Sequence, residues 1–116
     1  MVVPAPLTLS AIARGERAAA ISRIEAAISR CGWLLEARAF SGLYMSFQVE
    51  LERPRLGTFA QRMREAGAPL DAASEAALAA EATATAEREG AVAAALGVTF
   101  PDGNPDQRQV IPNVPG

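Results

Sequence analysis

The chain has 116 residues, half of them apolar and 21% charged, which suits one domain around one core and is too short for two. Its net charge of −2 and pI near 5.1 provide no basic footprint for nucleic acid or for an anionic membrane surface. It has no histidine and one cysteine, so the commonest general base is missing and one chain cannot build a His/Cys zinc site.

Leu7 to Ala13 alternates, with Leu7, Leu9, Ala11 and Ala13 on one face and Thr8, Ser10 and Ile12 on the other. This predicts a strand with one better-buried side. Arg14-Gly15 breaks the pattern. From Glu16 the period becomes helical: Ile21, Ile24, Ile28 and Cys31 recur at three- and four-residue steps, acidic Glu16 sits in the first turn, and Gly32 follows the last.

Trp33–Ala39 and Leu43–Leu51 alternate again and imply a hairpin. Directly paired residues share a face, so the loop must hold an odd number of residues. A three-residue Ser41-Gly42-Leu43 loop, with Gly42 supplying positive φ, pairs Ala37 with Phe47 and Leu35 with Val49 on the core side. It sets Glu36 against Gln48 and Arg38 against Ser46 outside.

Pro54 ends the strand region, and Leu56, Phe59, Met63 and Ala66 mark a shorter helix closed by Gly67. Ala68–Ala72 fits a short strand that Pro69 confines to an edge. Ser74–Glu89, rich in alanine and glutamate with Ser74 as cap, favours a thinly striped helix. Val92, Ala94, Leu96, Val98 and Phe100 alternate, which fits a last strand about as well as a helix. From Pro101 the composition predicts an extended tail.

This order gives one α+β domain over 1–116: a ferredoxin-like βαββαβ antiparallel sheet at 7–72 with both helices on one face. The strand ending the hairpin is expected beside the first strand. Residues 74–100 form an extension with an extra Ala-rich helix, and 101–116 an extended tail; whether 68–72 or 92–100 is the fourth strand stays open. The helix side is expected to hold Leu7, Leu9, Leu35, Met45, Phe47 and Val49, and the other side Thr8, Ser10, Glu36, Arg38, Tyr44, Ser46 and Gln48.

The segment LTLSAIARGERAAAISRIEAAISRCGWLLEARAFSGLYMSFQVEL, Leu7 to Leu51, resembles the ACT domain family in its strand, glycine-containing turn, helix, CGW lead-in and hairpin. The resemblance implies a regulatory domain that pairs side by side into larger sheets. It also implies binding of an amino acid or similar small carboxylate near the first strand-to-helix turn, at Arg14, Gly15 and Arg17. Independently, Gly15 stands where a helix N-terminus offers free N–H groups to an anion, and Arg14 and Arg17 can add charge-assisted hydrogen bonds.

Other chemistry is weaker. Cys31 lies on an apolar stripe and reads as packing. Glu36 and Glu50 fall on the open sheet face with Arg38 near, where solvated or interface charges are expected. Phe40 and Tyr44 on that face suggest a partner surface, most simply a second copy, whereas RNA binding would need aromatics on the first strand and a basic surround. Trp33 reads as a core or interface anchor.

The lone cysteine points to a reducing, cytoplasmic setting, and neither a signal peptide nor a membrane span is expected from Met1–Pro6 or from any apolar run. The expected function is a non-catalytic, cofactor-free, metal-free ligand-sensing domain acting as a homodimer. The alternative is a dimerisation or adaptor module with no ligand. A dimeric α/β-barrel enzyme of the same topology is a distant third, since such barrels commonly lean on a histidine.

Overall fold

The computed structural model describes residues 7–84 and 90–102. It is an α+β fold: β1 (Leu7–Ile12), α1 (Arg17–Cys31), β2 (Gly32–Ser41), β3 (Tyr44–Glu52), a 3₁₀ turn (Arg53–Arg55), α2 (Leu56–Glu65), α3 (Ala72–Ala84) and β4 (Ala91–Thr99). The four strands make one sheet in the order β1-β4-β3-β2.

That order corrects the expected one. β4, not β1, lies beside β3, and the sheet is mixed because β1 runs parallel to β4. The cause is the number of helices between β3 and β4. A single crossover helix returns the chain to the start of the strand it left, and the next strand is then parallel. Here α2 runs back until Gly67 accepts a hydrogen bond from the Arg14 amide (3.1 Å), at the far end of the sheet. Helix α3 then comes forward again, and Glu81 near its end meets Arg53 (3.3 Å) just past β3. β4 therefore starts where β3 stopped, with Ala91 opposite Glu52, and runs antiparallel to it.

The fourth strand is thus 91–99, an inner strand of the sheet, and a core ending at residue 72 with 74–100 as an appendage does not describe this architecture. Residues 68–72 contribute only an isolated antiparallel bridge, Leu70 to Ala11. Of the helix expected at 74–89, residues 85–89 lie outside the described residues, as does the tail expected beyond Asp102.

All three helices cover one face. Leu9 and Ala11 of β1, Ala94, Leu96 and Val98 of β4, and Met45, Phe47, Val49 and Leu51 of β3 are buried there against Ile24, Ile28, Leu56, Phe59, Met63 and Leu78. Each fully buried large side chain contributes about 1.5–3 kcal/mol relative to exposure. The opposite face carries Thr8, Ser10, Tyr44, Ser46, Gln48, Glu36 and Arg38, as expected from alternation.

The hairpin register holds in its middle. Glu36 pairs with Gln48, Ala37 with Phe47 and Arg38 with Ser46. Irregularities bound this run. Leu35 is skipped, so Leu34 rather than Leu35 pairs with Val49, and at the turn Ser41 pairs with Tyr44 around Gly42-Leu43. An extra residue reverses which side chains face the core. Leu34 therefore packs on the core, Leu35 is 56% exposed, and Trp33 stands on the open face opposite Glu50. The positive φ angles belong to Gly15, Gly67 and Gly90, not to Gly42. The Ser41 hydroxyl instead braces the turn by accepting the Leu43 amide (3.0 Å).

Candidate functional site

Three regions bear on function: the turn into α1, a recess along β1, and the bare side and outer edge of β2. The turn at Arg14–Arg17 forms as expected, with Gly15 at φ +88°. Its amides, however, are taken by the chain's own carboxylates. Glu16 is the N-cap of α1 and accepts from Ala18 (3.1 Å) and Ala19 (2.9 Å), and these bonds, Ala19 first, hold its carboxyl below the ordinary range. The Gly15 amide donates to Asp102 Oδ2 (3.2 Å).

The arginines are engaged too. Arg17 lies over the Phe100 ring, 5.4 Å from its centroid, and reaches the Ser41 carbonyl (3.4 Å). Arg23, which sequence reasoning passed over, donates through Nε to the Ala66 carbonyl (2.9 Å) and bonds the Arg14 carbonyl (3.4 Å). It ties the turn to the end of α2. Gly15 and Arg17 are thus built into an internal lock.

Arg14 differs. It lines a recess of about 420 Å³ along β1, with Ser10, Ile12, Pro69, Asp71 and Thr99 around it. The recess exists because residues 69–74 cross the outer edge of β1. Pro69 accepts the Ile12 amide (3.4 Å), Asp71 donates to the Ser10 carbonyl (2.9 Å), and the buried Ser74 hydroxyl accepts the Ser10 amide (2.8 Å). Asp71, not Ser74, caps α3: its carboxylate accepts the Ser74 amide (2.8 Å), and hydrogen bonds from the Ser74 side chain and amide lower its pKa. An Asp directly ahead of an alanine-rich helical run is the signal the sequence offered for that cap.

The other edge of the sheet is different. β2 is ten residues long, and its exposed apolar side chains include Trp33, Leu35 and Phe40, with Leu43 and Tyr44 continuing past the turn. Among the described residues no hydrogen bond satisfies its outer backbone edge between Trp33 and Phe40. On the open face Phe40 and Tyr44 stack obliquely, with centroids 5.9 Å apart, and Ile12 is exposed at the same end of the sheet. Beside them Glu36 and Arg38 form a salt bridge (2.9 Å) above Ser46 and Gln48. The run Leu34-Leu35, which breaks alternation, was the sequence sign of the bulge that exposes Leu35.

Cys31 is buried, and burial pushes its thiol pKa up, the reverse of an activated nucleophile. Glu50 and Glu52 occupy alternate positions of β3, and Glu52 is paired with Arg55 (2.8 Å). Among the described residues no group of three or more His, Cys, Asp or Glu side chains is placed to hold a metal ion, and no helix is long and apolar enough to cross a membrane. Comparison with protein-family models, curated proteins and solved structures finds no match to this chain.

Proposed function

We propose that this chain is a non-catalytic module that works as a homodimer, a dimerisation or adaptor unit of the cytoplasm. The observation that carries the reading is the contrast between the two sheet edges: β1 is closed by residues 69–74, whereas β2 stays bare and shows Trp33, Leu35 and Phe40 to solvent beside the Glu36–Arg38 pair. An open edge of this length is an assembly hazard unless something occupies it. A charge of −2 and the missing histidine favour neither a nucleic-acid partner nor acid–base chemistry. The resemblance of Leu7–Leu51 to ACT domains, a ferredoxin-like family of regulatory modules, agrees with side-by-side pairing.

The test is sedimentation equilibrium on the wild-type chain from low to high micromolar concentration. A dimer is expected, and a monomer throughout that range would overturn the reading.

A second reading, an amino-acid or similar carboxylate sensor, is favoured by the recess of small-ligand size that Arg14 helps to line. Gly15 and Arg17 would shape this site through the turn without touching the ligand. A thermal-shift screen with amino acids and small carboxylates tests it. A hit lost in Arg14→Ala supports sensing, and a flat screen removes it.

A further inference from the structure

The bare edge of β2 carries a charge pattern that is complementary to itself. We infer that two copies of this chain join β2 to β2 in antiparallel fashion about a two-fold axis at Ala37, making one continuous eight-stranded sheet. This rests on the homodimer reading above and goes beyond it by naming the surface and the register.

The register follows from symmetry. A two-fold axis normal to the sheet leaves every side chain on its own face, and opposed residues must share a face, so the axis passes at a residue. The regular part of β2 lies between the irregularities at Leu35 and Phe40. An axis at Glu36 or at Arg38 would set that charge against its own copy, which is destabilising. An axis at Ala37 sets Glu36 opposite Arg38 of the partner subunit, and Arg38 opposite the partner's Glu36. Both side chains stand on the open face, half or more exposed, and already bond one another within the chain.

The remaining features fit that placement. Ala37 is small and exposed, so nothing bulky stands at the axis. Exposed Trp33, Leu35 and Phe40 lie within a few residues on either side of it and lose solvent on pairing. β1 offers no competing edge, since residues 69–74 occupy it. Like charges disfavour axes at Glu36 and Arg38, and axes at Leu35 or Ala39 oppose neither charge to its complement, so the register at Ala37 is the one the charges favour.

The experiment exchanges the charges. In Glu36→Arg both positions become positive, and in Arg38→Glu both become negative. Each variant alone is expected to raise the dimer dissociation constant about tenfold, because two symmetric pairs turn repulsive. An equimolar mixture of the two is expected to form a heterodimer, and the double variant Glu36→Arg/Arg38→Glu to self-associate like wild type. Ala37→Cys is expected to oxidise to a covalent dimer, since residues opposed in antiparallel strands have Cα atoms about 4.5–5.5 Å apart. Thr8→Cys on the closed edge serves as the control and should not. Circular dichroism verifies that each variant is folded.

If wild type is dimeric but the single exchanges are silent, the mixture gains nothing, and Ala37→Cys stays reduced, the surface named here is wrong while the homodimer reading stands. A monomeric wild type removes both.

Discussion

The Tyr44 hydroxyl lies over Gly97 on the open face, in the space a Cβ at that position would occupy. Gly32 makes a different close approach. There a Cβ would meet the Glu50 carbonyl and the Leu51 backbone across the β2–β3 ladder. A flexible side-chain tip can swing aside and a paired backbone cannot. Gly97→Ala is therefore expected to change stability by no more than about 1 kcal/mol, because relief of glycine's unfolded-state entropy offsets the shift of Tyr44. Gly32→Ala is expected to cost about 2–3 kcal/mol or more. Urea unfolding midpoints at constant m-value compare the two, and equal losses would contradict this account.

Ser74 is the buried polar side chain that fastens the cover of β1, with its hydroxyl on the Ser10 amide. Ser74→Ala leaves that amide without its partner, at a cost of about 1–3 kcal/mol. The structural signature is local: amide exchange at Ser10 should quicken far more than exchange in β3. Equal acceleration across the sheet would mean that Ser74 only supports global stability.

Acid should weaken the fold through helix caps. The folded pKa of Glu16 is lowered from its ordinary 4.5 by the Ala19 and Ala18 amides, and that of Asp71 from 3.8 by Ser74. A group whose pKa is lower in the folded state stabilises fully above its unfolded pKa and loses that contribution as pH falls through the folded one. The melting temperature should thus be level from pH 7 to about 5 and decline below the ordinary carboxylate range. In Asp71→Asn the acid slope should be shallower. A wild-type slope unchanged in that variant would exclude the cap at α3 as a contributor.

Cys31 should be inert while the chain is folded. It is buried at the end of α1, and desolvation raises its pKa. A chromogenic disulfide reagent at pH 8 is expected to label it only at the rate of unfolding, and to completion in denaturant. Immediate stoichiometric labelling of native protein would show that the helix end is open.

Much of this was legible because β3 has one face in the core and one in solvent. Its alternation, and the parity rule for hairpins, located the register across Glu36–Ala39. Leu35 escaped that logic, since a skipped residue resets which side faces inward and its one sign, the adjacent pair Leu34-Leu35, is a break in the alternation that the rule assumes. The place of β4 escaped it for another reason. Strand neighbours depend on whether one helix or two separate β3 from β4, and Asp71, the cap that starts α3, falls within 68–72, whose pattern fits a short edge strand.

The turn at Gly15 shows the same division. Its local geometry was evident from a few residues, but the group that occupies its amide, Asp102, comes from 87 positions away. Helix termini announce themselves in sequence. What the rest of the chain brings to them does not.

Of the four described strands, β4 is the last to be synthesised, and it stands between the first and the third. Until residues 91–99 leave the ribosome, β1 has no inner neighbour and β3 lacks one of its two. A nascent chain thus presents raw sheet borders that the folded sheet never shows, and the pairing of 7–12 with 94–99 must close late, a slow and aggregation-exposed route. Deletion that reaches into 91–99 is therefore far more harmful than loss of the peripheral strand β2 would be.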